Sequence, residues 1–281
     1  MTFALLVSSA LMSISGCATT TASTVSSTSP RSSEAAAAEV SIGGSGEAYA
    51  PLEILAEAHQ AKTGTKFEFF PPSQTSGGVE GVKNSTFDIG GVSKGPTEAG
   101  ISDSMTYLPL MVTPLVVVVH DSVTGVTDIS ADQIKGIYSG EITNWKALGG
   151  PDVDIVLFDL SEDESEKQVL RQAYLGDDFA ISDAAVVFEE DDELAEAVAV
   201  TDFSIAALPL EDELEDLPIN ILSIDGVAPS AENIEAGTYL MGLPLGIAVS
   251  DTPSAEAQAF VDFISSDEGR TLLADADLDD D

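Results

Sequence analysis

Basic side chains are scarce in this chain. Ten Lys and Arg stand against 49 Asp and Glu, a formal net charge of −39 over 281 residues. A field of that sign repels nucleic acid and anionic lipid headgroups, so no nucleic-acid partner is expected. Cysteine is scarcer still: Cys17 stands alone, which excludes an internal disulfide. There are two histidines, His59 and His120, and nothing in the sequence pairs either with a nucleophile. No enzyme activity is expected, and a surface hydrolase has the least support. The apolar run at residues 3–14 is too short to cross a bilayer. No Lys or Arg precedes it, and no internal repeat follows.

That apolar run does have the length of a secretory h-region, and it ends in Met12-Ser13-Ile14-Ser15-Gly16-Cys17. Two small residues before a cysteine form the pattern of a bacterial lipoprotein signal. Cleavage before Cys17 and lipidation of its thiol are expected, with the protein tethered to the outer face of the cell membrane or in the periplasm. Residues 1–17 are then signal and lipobox. Residues 18–39, rich in Ser, Thr and Ala, cannot bury enough apolar surface to order themselves and read as a flexible tether.

Hydrophobic residues make up 44% of the chain, enough for a sizeable core in the body from residue 40 onward. The acids must therefore coat its surface, as in proteins adapted to high salt, where screening suppresses self-repulsion. Short apolar runs alternate with amphipathic stretches, an α/β signature. Strands are expected at residues 40–42, 66–70, 87–92, 113–120, 155–158, 219–224 and 244–249. The run at 113–120 holds four consecutive valines, which suits a strand buried on both faces. Helices are expected at 51–63, 132–138, 165–174, 191–198 and, as one unit, 255–274, with a short one opened by Ser76-Gly77-Gly78.

Two loops share one physical logic. Gly43-Gly44-Ser45-Gly46 and Thr75-Ser76-Gly77-Gly78 each follow a strand and precede a helix. Glycine lets backbone approach a ligand, helix-start N–H groups attract an anion, and hydroxyls can donate or cap. A third segment, Asp88-Ile89-Gly90-Gly91-Val92-Ser93, follows them.

These segments resemble the substrate-binding proteins of phosphate-type ABC importers, the PstS-like family. Ser76-Gly77-Gly78-Val79-Glu80-Gly81-Val82-Lys83 with Asp88-Ile89-Gly90 is similar to that family's second binding loop and next strand. Ile137-Tyr138-Ser139-Gly140-Glu141-Ile142-Thr143-Asn144-Trp145, ending in Leu148-Gly149-Gly150, is the most specific stretch. Ile224-Asp225-Gly226-Val227-Ala228-Pro229, Gly237-Thr238-Tyr239 and the segment from Phe260 to Gly269 complete the pattern in order. Trp145 itself reads as packed and structural.

The resemblance implies a two-lobed α/β fold of the periplasmic-binding-protein type II class. Two crossing hinge strands, at 113–120 and about 239–247, would join the lobes. Lobe 1 would comprise residues 40–112 and 245–281, lobe 2 residues 113–244. It implies a monomer that binds phosphate or a similar small oxyanion and delivers it to an ABC transporter permease. No cofactor is implied. The expected ligand-binding set is Ser45, Gly46, Glu47, Thr75, Ser76, Gly77 and Ser93 on the first lobe, closing against Ser165 on the second.

The chain departs from the family at the site itself. Glu47 stands near a hydroxyl position, and Ser93 stands where a carboxylate is common. Leu160 falls about where an arginine belongs, leaving Lys94, Lys167 and Arg171 as candidate replacements. Lys167 and Arg171, one helical turn apart, read as an exposed pair. The acids of residues 159–166 lack the spacing and central glycine of a calcium loop, so no metal is expected and they read as solvated surface. These departures keep open a sensor or receptor module that has lost phosphate specificity.

Overall fold

The computed structural model describes residues 39–211, 214 and 216–278. Cys17, the signal and nearly all of the expected tether lie outside the described residues. The expected first strand is β1 (Glu39–Gly44), parallel to β2 (Lys66–Phe69) on one side and to β3 (Ile89–Val92) on the other. Between β1 and β2 runs α1 (Tyr49–Thr63), which buries Leu52, Leu55, Ala56 and His59 at helical spacing and stops at left-handed Gly64. Next comes α2 (Gln74–Lys83), so Thr75-Ser76-Gly77-Gly78 lies inside the first turns of a helix, not in a turn before it. The glycines are needed for packing: a Cβ on Gly78 would sit 2.7 Å from the Gly91 carbonyl oxygen, and Gly44 has φ +120° against the same oxygen. They bring the start of α2 down onto β1 and β3.

The long strand β4 (Met105–His120) serves two sheets. Its first half, from Met105 to Pro114, pairs antiparallel with β10 (Gly242–Ser250), which also pairs with β3. From Leu115 onward it pairs with β8 (Ser204–Pro209) and β9 (Ile219–Ile224). The valine run is buried on both faces, as its composition predicts. Leu115, Val117 and Val119 enter one apolar cluster with Trp145, while Val116 and Val118 enter another with Phe158, Leu194 and Val198. The result is a two-lobed α/β body, with β4 and β10 running side by side between the halves.

In the second half β6 (Val156–Leu160) lies parallel to β8 and to β7 (Val186–Phe188), with α5 (Asp191–Val200) packed over them. A short strand, β5 (Asp128–Ile129), pairs with β9. It leads into α3 (Ala131–Tyr138), which opens with a reciprocal Ser130–Gln133 capping box. The helix after β6, α4 (Ser165–Leu170), widens into a π turn at Arg171–Leu175. Trp145 is fully buried and its indole N–H donates to the Phe203 carbonyl at 2.9 Å, a structural role. The short α6 (Ala231–Glu235) precedes β10. The C-terminal helix expected as one unit is two, α7 (Ala255–Ile264) and α8 (Asp267–Leu278). At the break the Ser266 hydroxyl donates to the Phe263 carbonyl and accepts from Gly269 N–H, a local alternative to helical pairing.

Candidate functional site

Four hydroxyls converge where the two halves meet. Ser45 follows β1, Thr75 sits in the first turn of α2, Ser93 follows β3 and Ser165 opens α4. Ser93 Oγ lies 2.6 Å from Ser45 Oγ, 3.2 Å from Thr75 Oγ1 and 2.7 Å from Ser165 Oγ, while Ser93 N–H donates to Thr75 Oγ1 at 3.0 Å. All four residues are buried. A hydroxyl offers one proton and two lone pairs, so three hydroxyl neighbours saturate Ser93. The structure thus brings together Ser45, Thr75, Ser93 and Ser165. It does not bring the Ser76 side chain to them: Ser76 is exposed on the outer side of α2. Gly77 is half-buried, and a Cβ there would run into the Ser73 side chain. Gly46 and Glu47 lie in the single helical turn after Ser45, and the Ser45 hydroxyl donates to Glu47 Oε2.

The acids beside this cluster are the main correction to the sequence reading. Asp159, Glu164 and Glu166 are buried, not solvated, with Glu166 only 1% exposed. Asp159 pairs with Lys167, itself buried, and the Lys167 ammonium lies 5.3 Å from the Tyr138 ring centroid. Arg171 is held bidentately by Glu162 at 2.6 Å, and its other terminal nitrogen donates to the carbonyls of Gly176, Asp177 and Phe179. The expected exposed Lys167–Arg171 pair is therefore absent: one cation sits in the core and the other ties down a loop. Both are spent as ligand donors. Leu160 shares a face of β6 with Phe158 and packs against Val116, Leu194 and Val198, so its side chain does not enter the cleft.

Glu164 precedes Ser165 and accepts a 2.5 Å hydrogen bond from Gln74 Nε2 across the cleft. Lys94, half-buried, crosses in the same way to the Asp163 carbonyl at 3.3 Å. Burial, then the charges of Glu47, Glu190 and Asp191, pushes the Glu164 carboxyl up to about 7. Burial and the Glu47 charge likewise hold the Glu166 carboxyl well above the usual carboxylate range. Asp191, at the start of α5, is pushed up to about 6, by burial first and then by Glu47. A cavity of about 290 Å³ on this side is lined by Ser45, Glu47, Gln74, Glu164, Ser165 and Asp191, among others. A second cavity, of about 380 Å³, is lined by Ser93, Lys94, Glu98, Ser165, Gln168 and Gln172, among others. Ser165 lines both cavities, the acidic one and the one that carries Lys94 and Glu98.

Sequence reasoning missed Glu164, Glu166 and Asp191. One signal was available: residues 161–164 link a strand to a helix, the same strand–loop–helix logic that singled out Ser45 and Thr75. The histidines build no relay. His120 meets Ser122 Oγ at 2.8 Å through Nδ1, the nitrogen that also faces Asp121 and Asp202 at 3.5 and 3.6 Å. A relay needs base and orienting contacts on opposite nitrogens. His59 is buried among Phe67, Phe260 and Phe263.

A family model described as a PBP superfamily domain matches residues 29–268. The phosphate-binding protein PstS of Bacillus subtilis is 30% identical over 144 residues, 51% of this chain. That match spans 47% of the Bacillus protein, about half its length. PstS of Borreliella burgdorferi is 24% identical over 245 residues, 83% of this chain and 87% of that protein. A Clostridium perfringens chain solved with bound phosphate superposes with a TM-score of 0.74 at 23% identity, covering 85% of this chain and 98% of that one.

Proposed function

We propose, from the premise that this chain belongs to the PBP superfamily, that it is an extracytoplasmic solute-binding protein of an ABC importer holding phosphate or a similar oxyanion between its lobes. The observation that carries this reading is the meeting of four buried hydroxyls at Ser93, contributed from both halves. A buried oxyanion needs many donors, and hydroxyls drawn from separate elements can rotate to supply them. The phosphate-binding relatives support the same assignment. Binding without catalysis follows, since oxyanion capture needs no bond to break.

In this reading residues 40–112 with 245–281 form one lobe and 113–244 the other, and β4 and β10 flex as the lobes close. Ser45, Gly46, Glu47, Thr75, Ser93 and Ser165 contact the ligand. Ser76 contributes through its main-chain N–H at the start of α2, whereas the Gly77 N–H donates to the Ser73 carbonyl at 3.1 Å. Lys94, which follows Ser93, lines the adjoining cavity. Cys17 carries the lipid anchor, and the protein works as a monomer beside a permease; among the described residues no helix is long and apolar enough to cross a membrane.

The buried carboxylates of Glu164 and Glu166 favour a second reading, a receptor that has lost phosphate specificity. Calorimetric titration with inorganic phosphate separates the two. Saturable binding at one site per chain is expected; silence toward phosphate, sulfate and arsenate in the presence and absence of divalent cations would leave the second reading.

A further inference from the structure

We infer that Glu47, Glu164 and Glu166 form a binding site for a hard divalent cation at the junction of the two lobes. Each residue offers a carboxylate oxygen, and these oxygens all lie within 4.8 Å of one another. Oxygen ligands of calcium sit about 2.3–2.6 Å from the ion, so two ligands of one ion stand at most about 5 Å apart. The three oxygens fit inside one coordination sphere.

Carboxylates gather on many acidic surfaces without a metal; Glu166 sets this cluster apart. It is 1% exposed, its carboxylate is aimed into the cluster, and both oxygens lack a hydrogen-bond partner beyond the residue's own N–H. A buried carboxylate in that position needs a counter-charge or a proton. The nearby cations are engaged elsewhere: Lys167 with Asp159, Arg171 with Glu162, and Lys94 with the Asp163 carbonyl. Donors that are all oxygen select hard ions such as Ca²⁺, Mg²⁺ or Mn²⁺ over soft ones.

The site escapes a sequence search because it is no contiguous loop. Glu47 comes from the turn after β1, and Glu164 and Glu166 come from the start of α4, over a hundred positions later. The cation therefore bridges the two halves. It also adjoins the hydroxyl cluster, since the Ser45 hydroxyl touches both Ser93 and Glu47. Resting on the oxyanion reading above, the ion supplies the positive charge that the missing arginine would have brought, and the ligand is taken as a cation–oxyanion pair.

Chelator-treated protein is titrated with CaCl₂, MgCl₂ and MnCl₂ separately, by calorimetry, in phosphate-free molar KCl to screen surface carboxylates. Saturable binding of at least one ion at one site per chain is expected. Glu166→Gln and the half-buried Glu47→Gln should each weaken it at least roughly tenfold, as loss of a ligand or its support does, whereas the exposed Glu196→Gln should not. Circular dichroism checks that each variant is folded, and Glu47→Gln decides if Glu166→Gln is not. No saturable binding by the parent, or equal affinity in folded variants, overturns the site. A second titration with phosphate, with and without the ion, tests the other reading separately. Phosphate binding that tightens with the ion supports both. An ion that binds while phosphate never does keeps the cation site and sinks the oxyanion reading. Phosphate bound with no ion does the reverse.

Discussion

The hydroxyl of Ser93 lies 2.7 Å from that of Ser165, a residue 72 positions later and on the opposite side of the cleft. This contact fixes the distance between the two halves at the floor of the site. It places Ser93 in contact with both lobes, as the Gln74–Glu164 and Lys94–Asp163 contacts do for two other side chains.

Ser93→Ala removes the centre of the hydroxyl cluster. Phosphate affinity should fall by about 1–3 kcal/mol, the cost of a lost hydrogen bond to a charged group. Ser76→Ala, outside the cluster, should leave affinity unchanged. Calorimetry on the two variants side by side checks both; equal effects would place the ligand nearer α2 than Ser93.

The family pattern suggests that an arginine at position 160 would tighten phosphate binding. The structure predicts the opposite outcome for Leu160→Arg. Leu160 is 4% exposed among Val116, Leu194 and Val198, so the substitution buries an unpaired charge. Denaturant titration should show a loss of several kcal/mol. A stable variant with tighter phosphate binding would show that this strand end turns toward the cleft.

Asp159 and Lys167 form a buried ion pair with side chains 4% and 1% exposed. Lys167→Met leaves the carboxylate without its partner and should cost about 3–5 kcal/mol. Asp159→Leu combined with Lys167→Met should recover much of that loss, because well-packed apolar replacements of buried pairs are often neutral. A double-mutant cycle in denaturant gives the comparison. A single variant as stable as the parent would mean that water reaches the pair.

The pH dependence of stability follows from Glu164. Its carboxyl ionises near 4.5 in an unfolded chain and at about 7 in the fold. Below both values the two states carry the same proton and nothing changes. Between them the unfolded chain has released a proton that the fold retains, so stability falls as pH rises and then levels off. Asp191, raised to about 6, acts with the same sign. The melting temperature of chelator-treated protein should therefore fall from about pH 4.5 to about 7, and Glu164→Gln should flatten the slope. A rising profile in the parent would contradict the burial of these carboxyls.

Salt should act on the rest of the acids. With −39 formal charges, mutual repulsion weakens the fold at low ionic strength, and screening relieves it. The melting temperature is expected to rise with KCl into the molar range. A flat curve would mean that the surface carboxylates are already neutralised in pairs.

The sequence alone determined much of this protein. The unbroken valine run placed the buried half of β4, and helical spacing placed the buried face of α1 and the start of α4 at Ser165, because composition and side-chain periodicity are local properties of the chain. It did not determine Ser204–Pro209 as a central strand, since a short apolar run has no period to read. Nor could it separate Glu166, buried and without a partner, from Glu162, exposed and paired with Arg171, in one acidic stretch. Whether a carboxylate is solvated depends on what the opposite lobe places against it, here Glu47 and Gln74 from more than 80 positions away. Desolvation and charge are summed over neighbours in space, and only the tertiary structure says which neighbours those are.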